Sequence, residues 1–153
     1  MRTGRTSVHA VVAIALLPSL SGRLFAESNA FDPAALATLE VKAQHAAMRD
    51  QAYLYAELMR GVGELASRQL NAGSSEEAAK TLARLETLAA LIDAGVNHDA
   101  RKLKDAEILM RETAVRLEGA LHQASAEDRP QVQHTLSRVD QLESKVMTEV
   151  FAH

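Results

Sequence analysis

The chain has no cysteine and no tryptophan, and proline, glycine and aromatic residues are all sparse. Each absence removes a class of protein. Without cysteine there is no disulfide, no lipid-modified N-terminal cysteine, no c-type haem attachment and no thiol catalysis. With aromatics at 3%, aliphatic side chains and alanine must fill the core. Three prolines and seven glycines in 153 residues leave long stretches with nothing to interrupt a helix. No uninterrupted apolar run reaches the roughly 20 residues that a spanning helix needs. No nucleophile motif, Gly-rich phosphate loop or His-Glu-x-x-His zinc pair occurs. Gly61 and Gly63 lie within a helical stretch and lack the strand and third glycine of a dinucleotide site. The expectation is therefore a protein that is not an enzyme.

What is present begins with an export address. Arg2 and Arg5 precede an apolar run at 8–17 that only His9 interrupts, and Pro18 and Gly22 then break the helix. Ser28, Asn29 and Ala30 fit the small-x-small cleavage rule, and Leu24, Phe25 and Ala26 are a second candidate. This is the tripartite pattern of a secretory signal peptide. The sequence thus divides into a signal at 1–26, with cleavage as late as 30, and a single domain at 27–153, placed in the periplasm or outside the cell. Removing the signal takes three of 17 Lys and Arg and none of 20 Asp and Glu, leaving a net charge of −6. An acidic chain is poorly suited to phosphate backbones. The densest basic cluster (Arg101, Lys102 and Lys104) is flanked by Asp99 and Asp105, so no nucleic-acid partner is expected. No stable membrane insertion is expected once the signal is gone.

Beyond Pro33 the residues are strong helix formers, and strand signals are nearly absent. The fold class read from this is all-α. Asp32 and Pro33 start a first helix over 33–72. Gly73 stops it, and Ser74 with Glu77 forms a capping-box pattern that starts the second. The local chemistry of Gly95, Asn97 and Asp99 argues for a stop there. Heptad stepping from Ala78 argues against one. It gives Leu82, Leu85, Ala89, Ile92, Val96, Asp99, Leu103, Ala106, Met110, Thr113, Leu117, Ala120 and Ala124, an apolar seam that keeps phase across Gly95. The sequence reading therefore favours one helix over 75–124. Asp128, Pro130 and Gln131 start a third at 129–151, with Val132, Leu136, Val139, Leu142 or Glu143, Val146 and Val150 on one stripe. The expected architecture is an elongated helical hairpin that becomes a three-helix bundle at one end. The alternative is a four-helix bundle broken at Gly95.

Residues 81–88 (TLARLETL) resemble 135–142 (TLSRVDQL), and Leu58, Met59 and Arg60 match Leu109, Met110 and Arg111. Two duplicated helical hairpins have this appearance. Around the first turn, Ala66, Gly73, Ala78 and Leu82 resemble the spacing of a tetratricopeptide helical pair over about 25 residues. Ala90 stands where that motif has its later proline, so the resemblance implies a tight helical hairpin. Residues 106–111 (AEILMR), 121–125 (LHQAS) and the ending VFAH at 150–153 are similar to a set of uncharacterised exported bacterial helical proteins. That resemblance implies no activity and no site.

Positions facing each other across the first turn sum to about 147 and across the second to about 252, at 1.5 Å rise per residue. On that register His45, Met48, His98, Asp99 and His153 share one end of the molecule, within roughly 6–9 Å along the axis. Histidine with methionine suits copper, and histidine with carboxylate suits zinc. No other cofactor is indicated. Glu118 and His122, four apart, read as an ordinary surface pair. Met59, Met110 and Met147 read as core filler. Tyr53 and Tyr55 cannot both face one seam, so one of them belongs at the surface or in a partner contact. The functional expectation is association through the apolar seam, with a protein partner or with itself. A metal or small-ligand site at the His-rich end and a chaperone-like or stress-related role are the alternatives.

Overall fold

A computed structural model describes residues 32–97 and 99–152. The expected export signal and both candidate cleavage positions lie outside these residues. Five helices make up the fold: α1 (Pro33–His45), α2 (Met48–Asn71), α3 (Ser75–Gly95), α4 (Leu103–Gln123) and α5 (Arg129–Phe151). There is no strand among the described residues. None of these helices is long and apolar enough to cross a membrane. The class is all-α, and α5 coincides with the third helix expected from the sequence.

The two longer helices expected from sequence are each divided. The stretch 33–72 breaks at Ala46 and Ala47, whose ψ angles are 156° and 141°. No glycine or proline marks this break; tertiary packing overrides helix propensity there. The broken ends are partly satisfied locally, since Asp50 N–H donates to the Ala47 carbonyl and the Gln51 amide to the Ala46 carbonyl. The break returns α1 to the body of the protein, where Leu36 and Ala43 are buried and Glu40 pairs with Arg84 of α3 at 2.5 Å. An unbroken helix would have carried Glu40 past the end of α3.

The helix expected over 75–124 is also two, separated at 96–102. The Asn97 side chain competes with the helix for backbone partners. Its amide donates to the Gly95 carbonyl, and its Oδ1 accepts from Asp99 N–H at 2.9 Å. Arg101 N–H donates to the Arg49 carbonyl at 2.7 Å, which pins the connection to the start of α2. Lys102 then enters α4 from a left-handed conformation, φ 56°. The connection spans seven residues, one heptad, so the apolar phase survives a break in the helix that carries it. The seam residues on both sides are buried, from Ala78 to Ile92 and from Leu103 to Ala124.

The packing follows from the ion pairs and close approaches between helices. Gly95 meets Ala52, which sets α2 and α3 antiparallel on the register read from sequence. Arg60 pairs with Glu112, and Arg116 with Glu64, so α2 and α4 run parallel. Lys145 reaches Asp93 and Gln131 reaches the Ala79 carbonyl, so α3 and α5 also run parallel. Arg111 meets Glu143 across the antiparallel α4–α5 pair. Contacts thus join α2 to α3, α3 to α5, α5 to α4 and α4 to α2, with α1 laid against α2. The connection at 96–102 joins two helices that lie across the ring from each other. Inside this ring Leu58, Met59, Leu85, Ile92, Met110, Leu117, Val132 and Val139 are fully buried.

The side-chain caps expected of Asp32, Ser74 and Asp128 do not form. Asp128 instead accepts from the hydroxyls of Ser75 (2.8 Å) and Ser125 (2.7 Å), joining the α2–α3 and α4–α5 turns.

Candidate functional site

The ends of α1, α3 and α5 and the starts of α2 and α4 share one end of the molecule. There the 96–102 connection and the α1–α2 break line adjoining clefts. The first, about 660 Å³, is lined by Ala47, Met48, Arg49, Asn97, Asp99 and Arg101. The second, about 550 Å³, is lined by Lys42, His45, Asp50, Tyr53, Leu54 and Lys102 among others. Met48 and Asp99 therefore share a cleft, and His45 lies in the neighbouring one. His98 and His153 lie outside the described residues. The His45 ring, through Nδ1, bonds the Val41 carbonyl of its own helix at 2.8 Å. Among the described residues no three His, Asp or Glu side chains converge as metal ligands do. Arg49 and Arg101 give the Met48–Asp99 cleft a cationic lining. Tyr53, the less buried of the two tyrosines, carries the Lys102 ammonium 4.5 Å above its ring, while Tyr55 is in the core.

Adjoining this end is a groove between the first half of α4 and the end of α5. Lys104, Glu107, Ile108, Arg111, Met147, Val150 and Phe151 line about 400 Å³ of space. Its floor is apolar and its charged wall is fixed. The Glu107 carboxylate is buried against the Arg111 guanidinium, which also donates to Glu143 at 3.3 Å. The hydrogen bond to Glu143 and the charge of Glu107 raise the Arg111 pKa above its usual value. Lys104 makes no ion pair among the described residues. Phe151 is 81% exposed, Val115 63% and Ile108 41%. Ile108 and Val115, seven apart, lie on one outward stripe of α4.

The sequence reading followed the buried seam and missed this groove. The available signal was Ile108 and Val115 at heptad spacing but out of phase with that seam, which is a second apolar stripe. Met147, read as core filler, lines the groove instead, whereas Met59 and Met110 are fully buried. Glu118 and His122 are an exposed pair, as read; the His122 ring bonds the Glu118 carbonyl at 2.7 Å through Nδ1.

No protein-family model, curated protein or solved structure matches this chain.

Proposed function

We propose that this is an exported, non-enzymatic helical protein that works by protein–protein association, and that the α4–α5 groove with the outward stripe of α4 is its contact face. The carrying observation is the grouping of Ile108, Val150 and Phe151 around one groove, with Val115 continuing the stripe. Apolar side chains gathered on one exposed face, with a charged rim, mark interaction sites. A groove between two helices suits an incoming helix, whose side chains enter at every third or fourth position. The four helices α2 to α5 read as a bundle with α1 as an added strap, so the hidden seam is already satisfied within one chain. Association then uses the outer stripe rather than the seam.

The test is site-specific photo-crosslinking in the expressing cell, with the probe at Ile108 and a control probe at Lys80 on α3. Capture of a protein, this chain or another, at Ile108 but not at Lys80 supports the reading. Equal or absent capture at the two positions rejects it. N-terminal sequencing of the recovered protein checks export, with Glu27 or Phe31 as the expected first residue.

A further inference from the structure

We propose that the occupant of the α4–α5 groove is a second copy of this chain, joined by antiparallel packing of two α4 helices about a two-fold axis near Arg111 and Glu112. This rests on the association reading above and adds the partner and the register.

The argument comes from the order of residues along the outward stripe. It reads Lys104, Ile108, Arg111, Val115, Glu118, and its outer four positions are complementary to their own reversal; the central Arg111 falls near its own copy with its charge already paired to Glu107 and Glu143. A two-fold axis passing between Arg111 and Glu112 sets Ile108 against Val115 of the partner copy. The same operation brings Lys104 within one residue of the level of Glu118 of the other chain, about 1.5 Å along the axis. The apolar pair and the charge pair each form twice, as an isologous contact requires. Val115 stands 63% exposed on a helix surface, and the register seats it beside Ile108 in the groove of the other copy. Neither end of the charge match has an ion-pair partner among the described residues. Lys104 has no ion pair among the described residues. Glu118 adds its charge to that of Glu143 around Asp140, where partial burial and those two carboxylates together raise the Asp140 pKa. A lysine arriving from the other copy relieves this concentration of negative charge.

Gly119 supplies an independent observation. It lies inside α4, where glycine costs about 1 kcal/mol against alanine, and a Cβ built there meets nothing within 4 Å. None of the described residues needs its small size. In the two-fold register it falls level with Lys104 of the other copy, at the mouth of the groove beside Phe151, where a missing side chain permits close approach of the two helices.

Because the chain has no cysteine, single introduced cysteines report the register without background. The full chain, and in parallel the chain from Glu27, is prepared as Ile108→Cys and as Val115→Cys, both at exposed positions. The two variants are oxidised separately and as an equal mixture. The register brings residue 108 of one copy to 115 of the other, while like residues stand about 10 Å apart along the axis, beyond the roughly 7 Å Cα limit of a disulfide. The expected result is a disulfide dimer in the mixture well in excess of either variant alone. A mixture that forms no more than the separate variants overturns the proposal. Light scattering of the wild-type chain up to about 100 µM, a range suited to an interface smaller than the standard size, separates the causes. Doubled mass without the mixed disulfide means another face pairs, which overturns this register and leaves association standing. A monomer whose Ile108 probe captures a different protein also overturns the two-fold contact and leaves association standing. A monomer with no capture overturns both. Lys104→Glu is expected to weaken the dimer about tenfold, one decade in Kd, and adding Glu118→Lys to restore it. A double variant no better than the single one rejects the charge match.

Discussion

Gly63 shows how closely the residue-level packing is set. A Cβ there lies 3.0 Å from Thr113 Cγ2, and Thr113 is fully buried with its hydroxyl committed to the Leu109 carbonyl at 2.8 Å. The methyl cannot turn away without breaking that bond. Gly63→Ala is therefore expected to destabilise by about 1 kcal/mol despite its better helix propensity. In a Thr113→Ser background the same change should become neutral or stabilising, which urea titration of the four proteins would show as non-additivity. Asp140 gives a second residue-scale prediction. Its folded pKa is raised, by burial first and then by Glu143 and Glu118, so its ionised form opposes folding. That opposition is complete above the raised folded pKa and absent below the ordinary carboxylate pKa. Asp140→Asn should then stabilise at neutral pH by a few tenths of a kcal/mol at a solvent-screened site, about 0.5 at most, with the gain gone near pH 3.

At the scale of elements, Glu86 ties α3 to α5 through Thr135 (2.9 Å) and His134 (3.0 Å). Burial pushes its carboxyl up, but the two hydrogen bonds and the charges of His134 and Arg138 outweigh it and leave the pKa lowered. A lowered carboxylate contributes stability above its unfolded pKa and loses it as pH falls through the folded value. Glu86→Gln is expected to cost about 1 kcal/mol at neutral pH and to flatten the acid side of a stability–pH curve measured from pH 7 to 2. Element identity and the buried seam were legible in the sequence because period and composition agree over more than a hundred residues. The division at Ala46 was not, because alanine favours helix and the cause is the distant burial of Leu36. The division at 96–102 was written in Asn97 but masked by a connection one heptad long. The metal constellation was placed by axial level alone; Met48 and Asp99 do share a cleft, whereas the His45 ring lies in the neighbouring one and bonds the Val41 carbonyl of its own helix. The groove escaped notice because it needs α4 and α5 side by side, an adjacency that no local pattern states.

For the whole molecule, the attachment of α1 is the weakest. Only Leu36 and Ala43 of this helix are buried, against ten residues of α2. Hydrogen exchange should show α1 amides opening well before those of α2, and Leu36→Ala should widen that difference by lowering the cost of freeing α1 by about 3 kcal/mol. The ring of helices has a further consequence. One exposed connection, containing Arg101 and Lys102, is all that covalently joins the α2–α3 hairpin to the α4–α5 hairpin, and the faces between them carry the core and the ion pairs at Arg60, Glu64, Glu86 and Asp93. A single tryptic cut there should leave two fragments that co-elute as one particle, and separately expressed halves should complement one another. The described helices are covalently one stretch of chain and energetically two matched pieces held face to face.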